Sequence, residues 1–93
     1  MLSLYLRPKL AATLKDPKSG RTMTVFTTAP GMQFYSGNFL DGVRGKGGAC
    51  YMRHHGLCLE TQGFPDAVNQ PNFPSVILEP DAKYEHTIVY RFS

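Results

Sequence analysis

Apolar and polar residues alternate along this chain in short runs, and glycine or proline interrupts them every few positions. No window sustains the i, i+3, i+4, i+7 apolar spacing of an amphipathic helix with caps at its ends. The runs between interruptions are rich in β-branched and aromatic residues, which predicts strands. Leu10 to Leu14 reads as a short strand. Asp16-Pro17-Lys18-Ser19-Gly20 reads as a turn, because Pro sets φ and Gly accepts a positive φ. Arg21 to Thr28 is the returning strand, with Met23, Val25 and Thr27 on one face. Pro30-Gly31 ends it, and Met32 to Ser36 is a third strand. Leu57 to Gln62 is another, with Leu57, Leu59 and Thr61 on one face and Cys58, Glu60 and Gln62 on the other. Val76 to Leu78 is predicted as a short strand. Tyr84 to Phe92 gives the cleanest alternation, with Tyr84, His86, Ile88, Tyr90 and Phe92 on one side. The stretch from Asn38 to Gly48 is predicted as a glycine-rich loop, and 63–75 as a second loop carrying Pro65, Pro71 and Pro74. The expected fold is an all-β, antiparallel unit of five to six strands.

Composition narrows this picture without redirecting it. Ninety-three residues suit one small domain with a marginal core, and 42% hydrophobic content is that of a globular chain. The formal charge of +3 is spread out. Its densest patch, Arg44, Lys46 and Arg53, is diluted by glycines, unlike the clustered stripe of a nucleic-acid binder. Two cysteines, Cys50 and Cys58, are too few for a disulfide framework, so a reduced, cytoplasmic chain is expected. The opening leucines, Leu2, Leu4 and Leu6, give way at once to Arg7-Pro8-Lys9. That stretch is too short for a signal-peptide core or a membrane span.

Several side chains could carry chemistry. Glu60 sits mid-strand between apolar neighbours, where a half-buried carboxylate is costly unless it is paired. A carboxylate kept at such a position suits a general base. The plainer reading, a solvated residue on the outer face, stays open on spacing alone. Gln33, Gln62, Asn38 and Asn69 both donate and accept hydrogen bonds, as sugar hydroxyls require. Five tyrosines and six phenylalanines could stack on a sugar ring, although most are needed for a core. His54-His55 with Cys50 and Cys58 lacks the spacing of a structural zinc site, and the adjacent histidines would point apart. No third group orients a Cys–His nucleophile. Gly42 to Gly48 lacks the phosphate-loop spacing and is followed by no helix.

Longer motifs add a resemblance. The segment Ala29-Pro30-Gly31-Met32-Gln33-Phe34-Tyr35-Ser36-Gly37-Asn38 resembles the P-G-x-Q-F-Y-[TS]-[GA]-N stretch of the aldose 1-epimerase (galactose mutarotase) family. Gly45 to Tyr51, then His54 and Gly56, are similar to that family's glycine-rich approach. Cys58-Leu59-Glu60-Thr61-Gln62-Gly63-Phe64-Pro65-Asp66-Ala67 resembles the signature around its catalytic glutamate. Asn69-Gln70-Pro71, Phe73-Pro74-Ser75, Tyr84, His86-Thr87 and Phe92 continue the likeness, and the turn Asp16 to Arg21 fits upstream.

The resemblance implies that residues 10–93 are the C-terminal part of the family's antiparallel β-sandwich, a partial version of the galactose mutarotase-like supersandwich. Residues 1–9 stand as an unmatched N-terminal segment. The implied activity is interconversion of the α and β anomers of free hexoses such as glucose and galactose, without a metal or organic cofactor. Glu60 takes the position of the catalytic base and Gln33 that of a substrate-binding glutamine. The family's acid histidine lies upstream of the matched segment. His54, His55 and His86 do not align with it, so the isolated chain is expected to be weak or inactive. A non-catalytic carbohydrate-binding or interaction module on the same scaffold is the alternative. A piece of a sandwich leaves sheet edges bare, so self-association or a covering partner is expected. Neither nucleic acid nor membrane is an expected partner.

Overall fold

The computed structural model describes residues 7–93, so the opening leucine stretch and most of the segment expected as 1–9 lie outside the described residues. Seven strands form three antiparallel sheets, and no α-helix occurs among the described residues. The strands are β1 (Lys9–Lys15), β2 (Thr22–Thr27), β3 (Gly31–Tyr35), β4 (Val43–Arg44), β5 (Cys50–Tyr51), β6 (Cys58–Gln62) and β7 (Ile88–Phe92). The sheet orders are β1-β2-β7, β3-β6 and β4-β5. This is a partial antiparallel β-sandwich, as the family resemblance implies, built from the antiparallel strands that the alternating runs predict.

The first hairpin is fixed by its turn. The Asp16 carboxylate accepts hydrogen bonds from the backbone N–H of Lys18 and Ser19 and from the Ser19 hydroxyl, the last at 2.7 Å. Gly20 closes the turn with φ +75°, donating its N–H to the Asp16 carbonyl at 2.8 Å. These bonds hold the Asp16 carboxyl below the usual carboxylate range, the Ser19 hydroxyl contributing most. A register shift between Leu10 and Ala12 places a bulge in the β1–β2 ladder. Beyond it, Ala12 opposes Val25 and Leu14 opposes Met23. On the other side of β2, Tyr90 opposes Val25 and Phe92 opposes Met23. The register therefore gathers Ala12, Leu14, Met23, Val25, Ile88, Tyr90 and Phe92 on one face. The reverse face is mixed, with the Arg91 guanidinium 5.0 Å from the centre of the Phe26 ring.

Three predicted elements differ from this arrangement. Val76–Leu78 runs without a ladder partner between Pro74 and Pro80, each of its side chains exposed, and is not a strand. Tyr84–Thr87 is not part of β7. Its neighbour β2 stops at Thr27, so the regular ladder starts only at Ile88. Before that point the chain is held by Thr28 N–H to the Thr87 carbonyl and by Thr87 N–H to the Thr28 hydroxyl, both 3.1 Å. The loop predicted for 38–48 instead holds β4 and a single 3-10 turn, Lys46–Gly48, and β5 follows to close a two-residue ladder. The second loop carries its own 3-10 turn at Ala67–Asn69.

The larger sheets are tied together at one imidazole. His86 Nε2 lies 3.2 Å from the Thr27 hydroxyl, at the end of β2, and 3.0 Å from the Thr61 hydroxyl, on β6. Its Nδ1 lies 3.1 Å from the Tyr84 hydroxyl. Hydroxyls both donate and accept, so the cluster is satisfied whichever ring nitrogen carries the proton. Thr27 is buried, and its hydroxyl also accepts the Ala29 N–H at 3.0 Å.

Candidate functional site

The β3–β6 ladder brings the two expected site residues together. Gln33 pairs with Glu60, flanked by Gly31 with Gln62 and by Tyr35 with Cys58. Alternation along both strands puts these three pairs on one face, and Met32, Phe34, Leu59 and Thr61 on the other. Directly opposed residues of an antiparallel pair have Cβ atoms about 4.5–5.5 Å apart, so the amide of Gln33 and the carboxylate of Glu60 can reach one ligand group.

Glu60 is exposed, not half-buried. Its carboxylate has no ion-pair or hydrogen-bond partner among the described residues, and the side chains of Gln33 and Gln62 likewise have none. All three remain available to a ligand. Asn38 and Asn69 are engaged elsewhere. Asn38 Oδ1 accepts from the Ser36 hydroxyl at 3.2 Å, and the Asn69 amide donates to Asp66 at 2.6 Å.

Two aromatic pairs border the polar ladder, and sequence reasoning did not single them out. At one end Tyr35 stacks on Phe39, ring centres 6.4 Å apart and 16° from parallel, and its hydroxyl accepts the Phe39 N–H at 3.0 Å. At the other end Phe64 and Phe73 meet edge to face at 5.2 Å. A Cβ at Gly31 would fall 2.9 Å from the Phe64 ring, so glycine is what lets that ring close on the strand. The signal lay in the G-x-Q-x-Y alternation, which puts Tyr35 two residues beyond Gln33 on the same face.

The loop that follows Glu60 is pinned by Asp66, which adopts φ +61°. Its carboxylate accepts from the Asn69 amide and, at 3.0 Å, from the Gln70 amide. These bonds hold its carboxyl below the ordinary value, Asn69 contributing most.

The histidines face elsewhere. His54 Nδ1 lies 2.8 Å from the Ser36 carbonyl, and His55 Nδ1 accepts the Met52 N–H at 2.9 Å. His86 reaches β6 only through Thr61, on the face opposite Glu60. Cys50 and Cys58 are free and exposed. No cluster of three or more His, Cys, Asp or Glu side chains among the described residues could hold a metal ion. No helix among them is long and apolar enough to cross a membrane. Two open cavities, of about 400 and 690 Å³, lie where the chain passes between the larger sheets, and neither includes Gln33 or Glu60.

Known proteins match nearly the whole of this chain. The sequence model of one family, described as aldose 1-epimerase, matches residues 3–91. This chain belongs to the aldose 1-epimerase family. It is 55% identical over 86 residues to the galactose mutarotase of Mus musculus, a match covering 91% of this chain and 25% of the relative. The galactose mutarotase of Homo sapiens is 60% identical over 83 residues, covering 88% and 24%. The aldose 1-epimerase of Escherichia coli (strain K12) is 38% identical over 86 residues, covering 90% and 25%. The chain thus spans about a quarter of the length of the curated relatives it matches.

Proposed function

We propose that this chain carries the base-bearing part of an aldose 1-epimerase site acting on free hexoses such as glucose and galactose. The observation that carries the reading is the directly opposed Gln33–Glu60 pair, exposed and unpartnered, inside motifs of that family. In this reading Glu60 takes the proton from the anomeric hydroxyl while an acid protonates the ring oxygen. The C1–O5 bond opens to the aldehyde, rotation about C1–C2 follows, and reclosure gives either anomer. Gln33 holds a sugar hydroxyl beside the base, and Tyr35 and Phe64 offer ring faces at the two ends of the ladder. Strands hold such a couple more firmly than loops would.

The acid comes from outside this chain, because its three histidines are engaged with backbone or hydroxyl groups away from Glu60. That same observation favours a second reading, a carbohydrate-binding module that keeps the scaffold without turnover. Residues 10–93 form the sandwich portion in either case. The uncovered strand edges support association with a further polypeptide, and the free, exposed cysteines support a reducing, cytoplasmic setting.

Anomer exchange of glucose and galactose, followed by polarimetry or exchange NMR, tests the reading. Activity above the buffer rate that falls about 10²–10⁴-fold in Glu60→Gln supports a base. Background rates with sugar-dependent shifts of the Gln33 and Glu60 resonances support the binding module. Sugar-independent spectra at background rate overturn both.

A further inference from the structure

In aspartate and asparagine the side-chain carbonyl carbon lies one methylene from the main chain, within reach of the next residue's amide nitrogen. Attack by that nitrogen closes a five-membered succinimide ring. The nitrogen must be able to turn towards the side chain and lose its proton, and an N–H held in a hydrogen bond does neither. The chain has seven residues of this type, Asp16, Asn38, Asp41, Asp66, Asn69, Asn72 and Asp81.

Six of them are blocked by their surroundings. Asp16 precedes Pro17, whose nitrogen carries no proton. After Asn38, the Phe39 N–H is donated to the Tyr35 hydroxyl. After Asp66, the Ala67 N–H is donated to the Phe64 carbonyl at 3.2 Å, and the Asp66 carboxylate is itself held by two amides. The N–H groups after Asn69, Asn72 and Asp81 go to the carbonyls of Ala67, Gln70 and Glu79, at 3.1, 3.0 and 3.1 Å.

Asp41 is the exception. Neither its carboxylate nor the Gly42 N–H has a hydrogen-bond partner among the described residues. Both residues are exposed, in a bend between β3 and β4. Gly42 has φ +70°, and nothing lies within 4 Å of the position a Cβ would take. The attacking nitrogen is therefore unshielded by a side chain of its own or of a neighbour, and glycine gives the backbone the freedom to turn it.

We propose that Asp41–Gly42 is a site of spontaneous isoaspartate formation. The Gly42 nitrogen bonds to the Asp41 carboxyl carbon. The C–OH bond of the carboxyl breaks, and the hydroxyl leaves with the amide proton as water. A second water then opens the ring. Breaking the bond between nitrogen and the side-chain carbonyl restores aspartate. Breaking the bond to the α-carbonyl leaves the chain running through the side-chain carbon, with a free carboxylate on Cα. One water is lost and one taken up, and no other reactant is needed. The product has one more backbone carbon just before β4 (Val43–Arg44), whose ladder to β5 is only two residues long.

The test ages the 93-residue chain for several weeks at neutral pH and body temperature, then maps its peptides. In the tryptic peptide Thr22–Arg44, Asp41 is the one aspartate. A protease that cuts before aspartate but not before isoaspartate should leave a growing fraction of that peptide uncut, and fragmentation spectra should show the β-linked backbone at residue 41. Peptides carrying the other six residues should stay unchanged over the same period. Asp41→Glu, whose ring would have six members, should lose the reaction, and Gly42→Ala should slow it several-fold. Three results overturn the proposal: a Thr22–Arg44 peptide that remains fully cleavable, the same uncut fraction in Asp41→Glu, or β-linked product accumulating as fast at Asn38 or Asp81 as at Asp41.

Discussion

Two single residues organise much of this chain through hydrogen bonds that its neighbours cannot replace. His86 is the first. Its imidazole spans hydroxyls of both larger sheets, and Thr27, one of its partners, is buried. His86→Ala removes these bonds and leaves the Thr27 hydroxyl with only the Ala29 N–H. Loss of a partner to a buried polar group costs about 1–3 kcal/mol, so the amides around Thr27, Ala29 and Thr61 should lose hydrogen-exchange protection locally. Asp66 is the second. Its folded carboxyl is depressed by the Asn69 and Gln70 amides. A depressed acid contributes stability that is fully present above its unfolded value and lost as pH falls through the folded one. The side-chain amide protons of Asn69 and Gln70 should therefore be protected at neutral pH and lose protection only below about pH 4, near the unperturbed aspartate value. Asp66→Asn should remove the pH dependence.

At the scale of elements, turns and close approaches decide which strands meet. Gly20 and Gly37 both have positive φ, but their surroundings differ. A Cβ at Gly20 meets nothing within 4 Å, whereas one at Gly37 would lie 2.7 Å from the Gly56 carbonyl oxygen. Gly20→Ala should cost only the backbone penalty, about 1–2 kcal/mol. Gly37→Ala should cost more, because the β3 exit must also move away from residues 54–56, which it holds through the His54 N–H and the Gly37 carbonyl. Hydrogen exchange of the strand amides flanking each glycine gives the comparison site by site. The same contrast shows what the sequence made legible. Alternation and the D-P-K-S-G turn located β1, β2, β3 and β6, because those signals are local. Val76–Leu78 and Tyr84–Thr87 carried equally good strand composition, yet the first lacks a partner and the second runs past the end of its neighbour. Composition reports what could pair, not whether a strand lies alongside. The site divides likewise. The face shared by Cys58, Glu60 and Gln62 followed from period-two alternation. The pairing of Gln33 with Glu60 depends on the β3–β6 register between strands far apart in the chain, and only the family motifs pointed to both. Whether Glu60 is half-buried or solvated stayed open on spacing for the same cause, since burial is set by what covers a strand.

The whole molecule is a set of well-formed hairpins around very little core. Val25 is the one fully buried side chain among the described residues. Conformational entropy opposes the ordering of every residue, and burial of apolar area is the main offset. Local hydrogen bonds such as those of the Asp16 turn keep individual ladders together without coupling one sheet to the next. That coupling falls to the His86 cluster and a few side chains, so the chain in isolation should lack a cooperative transition. Calorimetry should give a broad, weak endotherm, and a dye that reports exposed apolar surface should fluoresce strongly already at room temperature. Small-angle scattering of the isolated chain should return a radius of gyration well above the ~12 Å of a compact domain. An isolated chain that already melts sharply, excludes the dye and scatters as a compact particle would show that these sheets close on one another unaided.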